Sequence, residues 1–202
     1  MIKKLIFLLL GLIFLIPEMK GEEERTDSIE FQAPPERKPG KLMLKSDVVP
    51  WSVVIPNLGA EYTFADKWSA ALDVAFCPWK ISNKFSLKTV AILPEGRYWL
   101  KDNTKGSYFN FHLNIAWYNV RYHRYRYQDT NGPLLGAGVG YGYRLNIDKR
   151  WGVEFSVGAG FFSTRYHRYH NVANGALADT RNSTYWGIDR LGISFTYNLA
   201  DL

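Results

Sequence analysis

Cysteine is almost missing from this sequence. Cys77 stands alone among 202 residues, which excludes an intramolecular disulfide framework and a thiolate zinc site, since each needs a second cysteine. No apolar run reaches the roughly 20 residues that a helix needs to cross a bilayer, and no window carries a sustained helical period. A strong excess of either charge is absent too: 25 Lys and Arg face 19 Asp and Glu, a net +6, too mild for the footprint of a nucleic-acid binder. Phosphate-binding loops are lacking as well. Between Gly136 and Gly142 glycine recurs at every second residue, which fails the dinucleotide-binding spacing and its strand-to-helix turn.

What is present leans towards β structure. Hydrophobic residues make up 47% and charged residues 22%, within the range of one folded domain. Aromatic residues reach 16%, with 7 Trp, 13 Tyr and 12 Phe, and large rings concentrate in sheets, interfaces and membrane boundaries. At the N-terminus Lys3 and Lys4 precede Leu5 to Ile16, a run containing only apolar residues and Gly11. This layout predicts a secretory signal peptide over 1–21 and hence export. No cysteine follows the run, so acyl attachment of the lipoprotein type is not expected. Removing Lys3, Lys4 and Lys20 with Glu18 from the 25 basic and 19 acidic residues leaves 22 against 18, a net +4. Residues 22–40 carry Glu22, Glu23, Glu24, Asp27, Glu30 and Glu36 with Pro34, Pro35 and Pro39, the composition of a short, disordered, solvated linker.

After Lys41 the apolar residues recur with period two, which predicts eight strands: Leu42–Val49, Pro56–Phe64, Trp68–Phe76, Leu87–Leu100, Tyr108–Val120, Leu134–Ile147, Trp151–Thr164 and Ile188–Leu199. One face is apolar throughout, as in Phe109, Phe111, Leu113, Ile115 and Trp117, or Leu191, Ile193, Phe195, Tyr197 and Leu199. The other is small and weakly polar, as in Gly136, Gly138, Gly140 and Gly142, or Gly192, Ser194, Thr196 and Asn198. A soluble lipocalin-like barrel shares this period, but it must cover its exterior with well-hydrated groups. The small face would make a poor water-facing surface and a good filling for a narrow lumen. The expected architecture is therefore an all-β, closed, antiparallel, eight-stranded, up-and-down transmembrane β-barrel. Trp51, Trp68, Trp99, Trp117, Tyr118, Tyr143, Trp151 and Trp186 would supply its interfacial girdles.

Strand parity then places Lys45, Asp47, Glu61, Asp73, Glu95, Arg97, His112, Arg144 and Glu154 inside. Charges in such a lumen are tolerable only when paired and hydrogen-bonded, so a salt-bridge network is expected, with Arg97 and Arg144 bridging carboxylates. Eight strands leave too little room for an open aqueous channel.

Several segments resemble a known family. Pro56 to Glu61, Lys67 to Asp73, Pro94 to Trp99, Gly136 to Tyr143, Lys149-Arg150-Trp151 and Gly192-Ile193-Ser194 follow in the order seen in a domain-of-unknown-function family of Gram-negative outer-membrane proteins. The resemblance covers nearly all of Leu42 to Leu199 and leaves out the acidic stretch before Lys41. It implies a small OmpA/OmpX-like barrel in the bacterial outer membrane, of a kind often encoded beside genes for surface fimbriae. It carries over no catalytic residue.

With both termini periplasmic, the longer connections face outwards. Two of them are unusual: Tyr122, His123, Arg124, Tyr125 and Arg126, continued by Tyr127, and Arg165, Tyr166, His167, Arg168 and Tyr169, continued by His170. Read as extracellular binding loops, they offer guanidinium forks for phosphate or carboxylate and ring faces for stacking. The expected function is non-enzymatic: display of these groups for surface binding or anchoring. The expected partners are outer-membrane lipid and lipopolysaccharide, with a fimbrial or other surface protein or a glycan as the bound species, and no nucleic acid. No cofactor or metal is expected. The alternatives are a lipid-modifying enzyme, for which Ser163, His167 and Asp179 form one conceivable triad, and a soluble lipocalin-like ligand-binding barrel.

Overall fold

A computed structural model of the chain describes residues 42–101, 105–130, 132–172 and 174–199. The expected signal peptide (1–21) and linker (22–40) lie outside the described residues. The rest is all-β and antiparallel: β1 (Leu42–Asp47), β2 (Asn57–Ala65), β3 (Trp68–Lys80), β4 (Phe85–Trp99), β5 (Gly106–Tyr122), β6 (Tyr125–Asp129), β7 (Leu134–Asn146), β8 (Trp151–His170) and β9 (Leu177–Asn198), with one short helix, α1 (Val48–Ser52). Eight strands pair in a closed ring, β1-β2-β3-β4-β5-β7-β8-β9, with β1 returning to β9.

Three features depart from the eight expected segments. The first strand ends at Asp47, because Asp47 accepts a hydrogen bond from Val49 N at 2.9 Å and caps α1. The fifth continues into a tight hairpin: β5 pairs with the extra strand β6 from Asn119↔Gln128 to Tyr122↔Tyr125, around a turn where His123 has φ +53°. Strands β6 and β7 both lie between β5 and β8, so they form one line of sheet interrupted between Asp129 and Leu134. Finally, β8 runs on to His170 and β9 begins at Leu177, eleven residues before the expected Ile188.

Local chemistry explains the connections. Asp148 Oδ1 accepts from Arg150 N at 2.6 Å and Trp151 N at 2.7 Å, closing the β7–β8 turn. The β4–β5 register skips Leu93 and Pro94, where proline has no N–H to give to the ladder. We call the end that carries Leu42, Trp151 and Asn198 the base. At the other end β3, β4, β5, β6, β8 and β9 rise past the short β1 and β2 as an upright sheet.

The two faces of the ring are sharply different. Outside, Phe109, Phe111, Leu135, Val139, Phe155, Val157, Leu191 and Phe195 are exposed, Val139 to 63%. Inside, Lys45, Glu61, Glu95, Arg97, His112, Arg144 and Glu154 are buried. Near the base, Trp68 packs on Tyr98 at 5.0 Å and Trp151 on Tyr197 at 4.9 Å between ring centroids, while Phe161 meets Trp186 at 4.7 Å further up. Two residues expected in the outer girdles belong inside. Trp99 shares the parity of Glu95 and Arg97 and is fully buried, and Tyr118 shares that of His112 and Asn114, its hydroxyl 2.9 Å from Thr164.

Candidate functional site

The interior of the base is a charge-balanced cluster. Arg97 lies at its centre, with Nη1 2.7 Å from Glu61 and 2.8 Å from Glu154, and Nε donating to Glu95 at 2.8 Å. Arg144 donates through Nη2 to Glu154 at 2.6 Å and also to Glu61. Lys45 reaches Asp73 at 2.7 Å and Glu95 at 3.8 Å. Arg190 completes the set, 2.6 Å from Glu95 and 3.1 Å from Asp73. Four cations thus face four carboxylates, which satisfies the condition under which buried charge is tolerable. Below them, the Arg144 guanidinium lies 4.6 Å over Trp99 and that of Arg97 4.6 Å over Tyr108. Trp99 Nε1 donates to Ser69 Oγ at 2.8 Å, and Ser69 donates to Glu61 at 2.7 Å.

A second cluster sits above the first. His112 Nε2 is 2.8 Å from Asp189 Oδ2, its Nδ1 is 3.0 Å from Asn110 Oδ1, and Asn114 Nδ2 donates to Asp189 at 3.3 Å. The glycine stripe of β7 makes room for it. Tyr108, Asn110 and His112 lie opposite Gly142, Gly140 and Gly138 in the register. A Cβ on Gly138 would come within 2.6 Å of His112 Nε2, and one on Gly140 within 2.8 Å of Asn110 Oδ1.

Of the residues expected inside, Lys45, Glu61, Asp73, Glu95, Arg97, Arg144 and Glu154 form one network, and His112 belongs to the second cluster. Asp47 shares their parity and faces Lys45 and Arg190, but its carboxylate accepts from the backbone N–H groups of Val49 and Ile193, at 2.9 and 3.2 Å, and serves the helix and strand edge. Asp189 and Arg190 were missed. Strict alternation would point adjacent residues to opposite faces, but Gly158 pairs with Arg190 and Ala159 with Ile188. Asp189 is therefore the extra residue of a β-bulge, and both side chains enter the interior.

The two aromatic and basic runs expected as loops lie mostly in strands. Only His123 and Arg124 form a turn; Tyr122 ends β5, Tyr125 and Arg126 belong to β6, and Arg165, Tyr166, His167, Arg168 and Tyr169 belong to β8. Pairing within the sheet leaves no loop at the other positions, and alternation splits each run between two faces. On the inner face Arg168 lies 4.5 Å over Tyr125 and grips Asp179 through Nε and Nη2 at 2.9 and 2.8 Å, and Tyr127 packs on Tyr166 at 5.9 Å. Arg181 holds the same carboxylate at 2.8 Å. Partial burial pushes the Asp179 carboxyl up, but the hydrogen bond from Arg181 and the charge of Arg168 outweigh it and hold the group below its ordinary value. On the outer face Arg126 lies 4.7 Å over Tyr169, and His167 bonds Thr180 at 2.8 Å.

This division separates the conceivable triad. His167 points outwards to Thr180, and Asp179 points inwards to its two arginines. Among the described residues no group of three metal-ligating side chains gathers; His123 is in the turn, His167 faces out and His170 packs against Tyr125 at 5.6 Å.

A family model described as a protein of unknown function, DUF3575, matches residues 27–199. The chain belongs to the DUF3575 family. The match spans every described strand of this DUF3575 chain and begins within the acidic stretch that the sequence resemblance left out. No curated protein matches the chain, and no solved structure does.

Proposed function

We propose that this chain is a non-enzymatic transmembrane β-barrel of the bacterial outer membrane, exported by the leader at 1–21. Its interior is plugged, and it holds the upright sheet outside the cell to bind or anchor a surface partner. One observation carries the reading: the ring is inside out, with bulky apolar side chains exposed around its circumference and eight paired charges within. Apolar surface of that extent is costly in water and suited to acyl chains. The rings of Trp68, Tyr98, Trp151 and Tyr197 at the base, and of Phe161 and Trp186 higher up, fit the two interfacial belts of such a barrel. An interior filled by arginine and glutamate favours neither conduction nor an apolar ligand.

The upright sheet then stands in the layer of sugars and phosphates beyond the bilayer. Its inner face combines tyrosine rings with Arg168, Arg181 and Asp179, a set suited to a glycan or to a polar surface protein such as a fimbrial subunit. Heat-modifiable gel migration of protein extracted in detergent tests the barrel, and trypsin cleavage after the exposed turn residue Arg124 on intact cells tests the orientation. Monodisperse protein in detergent-free buffer overturns the first, and cleavage only in permeabilised cells overturns the second.

A further inference from the structure

We infer that the tip of the upright sheet is a binding site for a phosphomonoester carried on a sugar. A cavity of about 600 Å³ lies there, lined by Arg121, Arg126, His170, Asn83, Asn171 and Gly175 among others, and none of the described lining residues is acidic. Arg121 and Arg126 are direct register partners across β5 and β6, an arrangement in which like charges repel. Neither has a carboxylate partner among the described residues: Arg126 stacks on Tyr169 at 4.7 Å, and its Nε is buried with no acceptor. Buried donors are rarely left so. Two guanidinium forks side by side match a tetrahedral oxyanion, which would relieve the repulsion.

The frame of the cavity is fixed in advance of any ligand. Asn171 donates through Nδ2 to the carbonyls of Asn83 and His123, both at 3.0 Å, and its backbone N–H reaches Arg124 O at 2.8 Å. His123 N donates to Lys84 O at 2.9 Å. The turns after β3, β5 and β8 are thereby tied into one rim, and Gly175 lets the last of them close where any Cβ would strike the carbonyl of His170. The volume falls within the range of about 300–1,000 Å³ that holds small organic ligands, far more than a bare phosphate fills. The amides of Asn83 and Asn171 and the ring of His170 suit hydroxyl groups, so a sugar is the carrier that fits. This deepens the display reading by naming the ligand class of the sheet's tip, and the cavity's chemistry does not depend on whether the ring crosses a bilayer.

The test titrates the purified full chain in detergent micelles with glucose 6-phosphate, inorganic phosphate and glucose, by calorimetry or by chemical-shift mapping. Glucose 6-phosphate is expected to bind, inorganic phosphate more weakly, and glucose at least tenfold more weakly than its phosphate. Arg121→Ala and Arg126→Ala should each weaken glucose 6-phosphate at least tenfold, and Arg126→Gln, which removes the charge and keeps a hydrogen-bonding amide, should do the same. Unchanged affinity in Arg126→Gln, or equal affinity for glucose and its phosphate, overturns the site. Vesicles bearing a phosphorylated or a dephosphorylated saccharide lipid identify the source of the phosphate: preference for the first assigns it to a lipid, and equal behaviour with retained glucose 6-phosphate binding assigns it to a soluble sugar phosphate. Heat-modifiable migration of the same samples is read separately, so loss of the barrel and loss of the site are distinguishable.

Discussion

Replacing Arg97 by methionine removes the centre of the buried network while keeping much of its volume. Arg97 donates five hydrogen bonds to Glu61, Glu95 and Glu154, and its loss leaves four carboxylates against three cations. Breaking a buried ion pair by removing one partner costs about 3–5 kcal/mol. Here each of the three carboxylates keeps at least one cation: Glu61 and Glu154 keep Arg144, and Glu95 keeps Arg190 at 2.6 Å and Lys45 at 3.8 Å. The expected loss is therefore near the lower bound, about 3 kcal/mol, or roughly a hundredfold in the unfolding equilibrium. Urea unfolding in detergent micelles, followed by heat-modifiable migration and tryptophan fluorescence, measures it. Adding Glu154→Gln restores equal numbers of opposite charges, and the double variant should be at least about 1 kcal/mol more stable than the sum of the single losses predicts. A loss below about 0.5 kcal/mol in Arg97→Met, or strict additivity in the double variant, refutes the view that charge balance holds the interior together.

Val139, 63% exposed in the middle of β7, should cost about 2–4 kcal/mol when changed to Arg if it faces acyl chains; a neutral effect in bilayers contradicts the outward assignment. Gly138→Val would press against His112 and Asp189, and a loss of about 1–3 kcal/mol is expected from overpacking, with altered His112 imidazole shifts by NMR; wild-type stability and shifts would show that the stripe has no such role. The carboxyl of Asp179 should titrate with a midpoint below its ordinary 3.8. Because the folded value is the lower one, the grip of Arg168 and Arg181 is complete above the unfolded carboxylate range and is lost only as pH falls through the depressed midpoint; a midpoint above 3.8 by carbon-detected NMR excludes the clamp.

The base was legible in the sequence because one physical demand acts on every strand there. Each residue faces either a crowded interior or an exposed apolar surface, so parity alone sorted Glu61, Glu95, Arg97, Arg144 and Glu154 to one side. Trp99 shows the same rule correcting a guess from residue type, since its parity with Arg97 outweighs the preference of tryptophan for membrane boundaries. The upright sheet was hidden for the converse reason. Leu177 to Gly187 reads Leu-Ala-Asp-Thr-Arg-Asn-Ser-Thr-Tyr-Trp-Gly, and with polar residues falling on both faces no period of two develops. Asp189 was missed because a bulge shifts parity by one without altering composition. Gly187, at φ +150°, is a local sign of that irregularity, since glycine readily adopts positive φ.

The seam of the ring shows how the same sequence closes one end and leaves the other standing. Strand β1 pairs with β9 only from Met43↔Asn198 to Asp47↔Ser194, whereas β8 pairs with β9 from Trp151↔Tyr197 to Tyr169↔Leu177. Where β1 stops, Asp47 both caps α1 and accepts from Ile193 N, so a side chain takes over the edge of β9 that the strand no longer covers. Asn57 locks the return, its Oδ1 accepting from Asp47 N at 2.7 Å and its Nδ2 donating to Asp47 O at 2.8 Å. Above that point β8 is the strand that pairs with β9 among the described residues, and the sheet's inner face is free of the first two strands. A short β1 is thus the structural condition for exposing Tyr127, Arg168 and Arg181: an extra turn of β1 and β2 pairing would complete the wall and enclose the surface that the upright sheet presents.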